Sequence, residues 1–399
     1  METLSCSLNQ KCYYISRGAI KSRQAGLESR TSLVGLAICK LGLPKRLRIS
    51  AVFPLERSWG RVQMTVGVSV FGLSFCGSRR LQAAKKSRSN NPWDLEEAIR
   101  GVRAELSCTR AKKKGLYDDF LDFAVEKLHQ HVQEISKLPI QDEFSNMVAL
   151  DGVSLTKNCA YESAKIRIFR AASIDAGNAL QVLNLAICAR PEYDLPIFCT
   201  DFVSTASRNI IVLDLNPLYN IEQNPEYKDK YFLELLPMAN KYAQILPWGD
   251  KLTAESIQFF SPIVIWSRPH QREDIQNKVF PAFQDYLEAW LQMVDIAQPT
   301  TNPEQISKNQ EAHHRYLMWR ATKDPGRNIL ARLYGEQFCE RYISEFMFNG
   351  VNTLGTKGFL DYFPEYNMSD GTISKQRSVL GRSYAQRPWD SSGHFNPVL

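Results

Sequence analysis

Acidic residues are scarce at the start of this chain. Of its 399 residues, the first 90 carry 3 Asp+Glu against 16 Lys+Arg, a balance of +13; residues 91–399 carry 39 against 33, or −6. The formal charge of +7 is therefore an average of two unlike parts. A long, Ser- and Arg-rich, acid-poor leader has the character of an organelle transit peptide, of the plastid type, to be removed before folding. The other reading is a disordered basic tail for nucleic acid or anionic surfaces. No apolar run is long enough to span a membrane: "VQMTVGVSVFGLSFC", residues 62–76, falls short of the roughly 20 residues required. The nine cysteines include no pair at the two-residue gap of zinc or redox motifs, so neither a disulfide framework nor a metal site is signalled. Nucleotide and metal motifs are missing too: no G-x-G-x-x-G after a strand, no phosphate loop, no H-E-x-x-H. His313 and His314 point in different directions on a helix and read as surface or packing residues rather than paired ligands.

What is present is an ordered series of elements. "PWDLEEAIRGVRAELS" and "LYDDFLDFAVEKLHQHVQEISKL" have helical spacing and start signals. Strands follow at "AKIRIFRA", "LQVLNLAI", "PIFCTDFV" and "NIIVLDLN", with a further one at "PIVIWS". Their links are too short for parallel crossovers, so neighbouring strands are expected to be antiparallel. Three long amphipathic helices are expected at "KVFPAFQDYLEAWLQMVDIA", "ISKNQEAHHRYLMWRATK" and "NILARLYGEQFCERYISEFMF". Helices before and after one meander imply an α/β fold, a three-layer α/β/α sandwich around a central antiparallel sheet, in a single domain over residues 91–399.

Two residues break the apolar pattern. On strands, Leu180, Val182, Asn184, Ala186 and Cys188 share a face, as do Ile197, Cys199, Asp201 and Val203. Asn184 and Asp201 thus point with apolar neighbours. A carboxyl placed so is expected to have a raised pKa, which suits an acid near neutral pH; it can equally be a structural acceptor for backbone or arginine. Asp324 precedes Pro325 and by itself reads as a turn, and Asp214, beside Asn216 and Pro217, reads the same way.

The runs "YDLPIFCTDFVS", "VLDLNPLY", "LPWGDKLTAESIQFFSPIVIW" and "MWRATKDPG", with the tail "FNGVNTLGTKGFLDYFPEY" and "SVLGRSYAQRPWD", resemble the ferredoxin-dependent bilin reductases, and the plant branch most. The resemblance implies that biliverdin IXα binds between the sheet and the C-terminal helices. No flavin, nicotinamide or metal is implied; electrons come singly from ferredoxin and protons from side chains. Asp201 and Asp324 match acids that lie on opposite sides of the bilin, and Asn184 matches the strand position that carries histidine in the phycocyanobilin-forming relatives; an amide cannot titrate, so it would orient the tetrapyrrole rather than protonate it. Arg268 and the run Arg315, Arg320, Lys323, Arg327 and Arg332 are candidates for the bilin propionates or for ferredoxin, with a solvated helix face as the alternative. The expected product is phytochromobilin, made in the plastid stroma by a monomer that binds no nucleic acid. Asparagine at 184 with aspartate at 201 is similar to the cyanobacterial members. Reduction to 15,16-dihydrobiliverdin therefore remains an alternative, as does a non-catalytic bilin carrier.

Overall fold

The computed structural model describes residues 114–396 and, nearer the N-terminus, three short strands: β1 (Thr3–Ser5), β2 (Arg48–Val52) and β3 (Val66–Ser69). The chain divides into two units, Met1–Ala111 and Lys112–Leu399. In the first, β2 pairs antiparallel with β1 and with β3. Most of the leader proposed for residues 1–90, and the whole helix expected at 92–107, lie outside the described residues.

The second unit is built on an eight-stranded antiparallel sheet. β4 (Ser136–Lys137) and β5 (Asn146–Val148) both pair with β6 (Leu155–Glu162), and β7 (Ile166–Asp175), β8 (Leu180–Ala189), β9 (Ile197–Thr205) and β10 (Asn209–Asn216) continue as a meander. After a small β11 (Leu252–Thr253) off the sheet, β12 (Ile265–Ser267) closes the edge against β10. Short links produce this order, as expected. The four residues between β7 and β8 turn through Gly177, whose φ of 64° suits a residue without a Cβ.

The two sheet faces bury different chemistry. On one, Leu183, Leu185, Ile187, Phe198 and Phe202 are fully enclosed. They meet helix α1 (Asp118–His131) through Phe120, whose ring centre lies 5.5 Å from that of Phe202. After α2 (Pro225–Phe232) and α3 (Leu236–Ile245), helix α4 (Phe280–Ile296) brings Phe283 to 5.8 Å from Phe198, and Trp290 donates to the Pro196 carbonyl at 2.8 Å. Helix α5 (Pro303–Lys323) lies on the opposite face, where Tyr316 reaches Asn216 Oδ1 at 3.2 Å. Sheet between helices is the expected three-layer sandwich.

Several element boundaries differ from the sequence reading. The helix expected across 116–138 ends at His131, and Ser136–Lys137 instead extends the sheet. The single helix expected over 328–348 is two, α6 (Arg327–Tyr334) and α7 (Glu336–Tyr342), because Gly335 adopts φ 86°, which a continuing helix does not allow. Its apolar periodicity runs on through the break, since both pieces pack on one core. Asp214 is not in a turn. It lies inside β10, fully buried, where Oδ2 accepts from the backbone N–H of Ser261 at 2.9 Å and from Asn216 Nδ2 at 2.9 Å, and Oδ1 accepts from the Ser261 hydroxyl. Sequence context alone put it beside Pro217, but the strand runs to Asn216.

Burial pushes the Asp214 carboxyl up to about 7, against the pull of its hydrogen bonds. An acid whose folded pKa is raised adds stability below its ordinary pKa and loses it as pH rises through the folded value. Thermal unfolding from pH 5 to 8.5 should show the wild type losing on the order of a few kcal/mol that Asp214→Asn retains. Parallel pH curves for the two proteins would show that this carboxyl is ionised in the folded state throughout the range and that its pKa is not raised.

Candidate functional site

The polar face of the sheet carries a row of interacting side chains. The β8–β9 register places Asn184 directly opposite Asp201, and that of β7–β8 places Arg170 opposite Ala186, one pleat away on the same face. Arginine has only donors, so the buried Arg170 fixes the Asn184 amide: Nη1 donates to Asn184 Oδ1, and Asn184 Nδ2 donates to Asp201 Oδ1. The other carboxylate oxygen, Oδ2, accepts from Arg320 Nη2 on α5 at 2.6 Å. Four residues on, at the end of the same helix, Asp324 Oδ2 lies 3.8 Å from that nitrogen.

Two carboxyls from opposite layers therefore converge on one guanidinium. Side-chain exposures are 24% for Asp201, 14% for Arg320 and 10% for Asp324. Burial raises the pKa of Asp324; Arg320 pulls it down and the charge of Asp201 pushes it up. For Arg320 burial acts to lower the pKa, but Asp201, Tyr316, Cys199 and Asp324 outweigh it and leave the guanidinium firmly charged. Beside it, burial pushes the Cys199 thiol up to about 12, so this cysteine is a neutral wall residue that accepts from the Tyr316 hydroxyl at 3.5 Å. Asp324 caps α5 and accepts from the backbone N–H of Gly326. Its turn role and its place in the cluster coexist.

The remaining candidates separate. Arg268 lies just beyond the edge strand β12, over the Trp266 ring and 2.5 Å from Asp250 Oδ2, with no bond to the Asp201 cluster. Arg315 bonds Gln258 and sits between the rings of Phe259 and Phe363, at 5.0 and 5.1 Å. Arg327 pairs with Glu340, and Arg332 is exposed. Lys323 donates to the carbonyls of Ser374 and Gln376 and lies 3.9 Å above the Tyr366 ring, which ties the C-terminal tail to the end of α5. Both histidines, expected at the surface or in packing, are enclosed, and His314 bonds Tyr362 and the Val351 carbonyl.

Sequence reasoning did not single out Arg170, Arg377 or Glu255. Arg170 carried the same signal as Asp201, a charge within an apolar strand, in "IFRAA". Arg377 lies on the tail within the field of Arg320, Asp324 and Asp201. Glu255, wholly buried, accepts from Ser378 Oγ and from the backbone N–H groups of Val379 and Leu380 at 2.8 to 2.9 Å. It anchors the tail beside the cluster, and no local pattern marks it.

An acid on a sheet strand and an acid at a helix end, both held by one guanidinium, suit proton delivery to a ligand that displaces that guanidinium. The chain belongs to the ferredoxin-dependent bilin reductases, whose family model matches residues 122–349. Among individual relatives it is 43% identical over 279 residues to the chloroplastic phytochromobilin:ferredoxin oxidoreductase of Arabidopsis thaliana, spanning 70% of this chain and 84% of that protein. A phycoerythrobilin:ferredoxin oxidoreductase of Gloeobacter violaceus is 39% identical over 236 residues, 59% of this chain and 95% of the relative. The crystal structure of tomato phytochromobilin synthase in complex with biliverdin superposes with a TM-score of 0.68 at 45% identity, covering 70% of this chain and 99% of that one.

Removing the cation between the two acids should be directly visible. In Arg320→Met the pKa of Asp324 should rise further, by about one unit, since an adjacent opposite charge shifts a carboxyl by that much or more. Carbon-13 resonances of labelled aspartate carboxyls, followed through a pH titration, measure it. An unmoved midpoint would mean that the guanidinium does not couple to Asp324.

Proposed function

We propose that this chain reduces biliverdin IXα with electrons taken one at a time from reduced ferredoxin, and that the product is phytochromobilin. Two electrons and two protons then add across the A-ring diene, and two ferredoxins are oxidised. The observation that supports this most is the convergence of Asp201 and Asp324, from sheet and helix, on the Arg320 guanidinium in a member of this family. Asp201 supplies a proton to the bilin radical from the sheet side, and Asp324, kept more readily protonated by burial, supplies one from the helix side. Asn184 cannot titrate and orients the tetrapyrrole. Arg268 is assigned a propionate, which its fork suits once it exchanges Asp250 for the ligand.

The cavity on this face is far too small for a linear tetrapyrrole as it stands. The bound ligand is proposed to displace Arg320 from Asp201, which frees Asp201 Oδ2 to face it. The chain is further proposed to be a monomer of the plastid stroma, with residues 1–90 as the leader; the chloroplastic Arabidopsis relative supports the compartment.

Anaerobic turnover with ferredoxin, its reductase and NADPH, with chromatography of the products, tests the reading. Asp201→Asn should bind biliverdin but stall after the first electron, leaving a radical visible by spin resonance, and Asp324→Asn should bind and fail at the A ring. Dihydrobiliverdin from the wild type would reassign the product, and bound but unchanged biliverdin would make the protein a carrier. A chain starting at Asn91 should be soluble and fully active; insolubility of that form alone would make residues 1–90 part of the enzyme.

A further inference from the structure

His313 is 1% exposed, on the face of α5 that packs toward the sheet, and among the described residues neither of its ring nitrogens has a hydrogen-bond partner. Such a group destabilises a fold unless something else uses it, because its lost hydration is not replaced. It is not alone there. The Nε of Arg167, on β7, is likewise buried and unpaired, while the rest of that guanidinium donates to Asn349 at 3.2 to 3.3 Å. Burial and the charge of Arg167 push the imidazole down to about 3, so it is neutral at physiological pH and can donate from one nitrogen.

Arg167 lines a small cavity whose walls also include Tyr316 and Leu317; His313 lies just behind that wall, one turn before them on α5 and within the field of Arg167. The cavity lies on the polar sheet face, next to the Asp201 row: Ala186 in its wall is two residues from Asn184, and Arg170, also in its wall, is the donor to that amide. The rest of its lining is Ile168, Cys188, Met347 and Phe348, with the polar Asn349 at one side. We propose that His313, with the Nε–H of Arg167, hydrogen-bonds the lactam oxygen of one terminal ring of the bound bilin. At the imidazole itself a lactam fits better than a carboxylate, because neutral His313 satisfies a carbonyl but compensates poorly for stripping a charge of water. A carboxylate would instead be drawn by Arg167 and Arg170, which the ester comparison below separates. The inference rests on the bilin reading above and gives His313 a positioning role, fixing which end of the tetrapyrrole lies beside Arg170 and Asn184.

The test compares the full-length protein with His313→Leu and His313→Gln, using biliverdin and its dimethyl ester, which keeps both lactams but lacks free carboxylates. Losing one ligand hydrogen bond in a closed site should weaken binding of both compounds about ten-fold in His313→Leu, with a broader product pattern, while His313→Gln, a neutral donor, should stay near wild type. The unliganded Leu variant should melt higher than wild type, since an unpaired buried polar group has been removed. Unchanged affinity in His313→Leu would overturn the proposal, as would a fall in its melting temperature, which would make the imidazole structural. A loss confined to the free acid would show that a propionate, not a lactam, occupies the site. If the wild type binds neither compound, the bilin reading itself fails, and this assignment with it.

Discussion

The guanidinium of Arg320 is the charge around which the polar side of the domain is arranged. A largely buried cation is tolerated only if anions and hydrogen bonds replace its water, and here Asp201 supplies the close contact and Asp324 the second carboxyl. Arg170 adds a second buried cation one pleat away, linked to Asp201 only through the Asn184 amide. Two cations and two acids are thus held in one row. Removing a proton from either acid, or adding one, changes the balance of all four. That sensitivity is what a proton-delivering site requires, and an apolar core could not provide it.

The opposite face of the same sheet explains why such a row can be held in place. Phe198, Phe202, Phe120, Phe283 and Trp290 form a continuous aromatic layer with ring centres 5.3 to 6.5 Å apart, and Trp290 also has its indole N–H satisfied. Close packing of this kind makes β8 and β9 stiff, and side chains on stiff strands keep their spacing when a ligand enters. The helical side has its own buried aromatic cluster, Trp319 with Phe259, Phe359, Phe363 and Tyr366, and polar ties besides. Lys323 to the tail carbonyls, Glu255 to three donors at 378–380, and Arg320 itself are contacts that can be exchanged without disturbing the aromatic layer.

Alternation along the strands, short links and amphipathic spacing determined much of this protein from sequence alone: an antiparallel meander with helices before and after, and a carboxyl and an amide pointing with apolar neighbours. These are local properties, set by the period of the backbone and the reach of a few residues. Tertiary structure decided the rest. That Asn184 faces Asp201, rather than a residue two places away, follows from pairing register. That a strand aspartate is buried, as at Asp214, or that a turn aspartate joins a cluster on the sheet, as at Asp324, depends on segments distant in the chain. "DP" reads as a turn because it is one, and nothing within a few residues encodes what the turn faces. The orphan imidazole of His313 is the extreme case, since an unpaired group is defined by everything that surrounds it, and that environment is assembled only when β7, α5 and the turn at Asn349 come together.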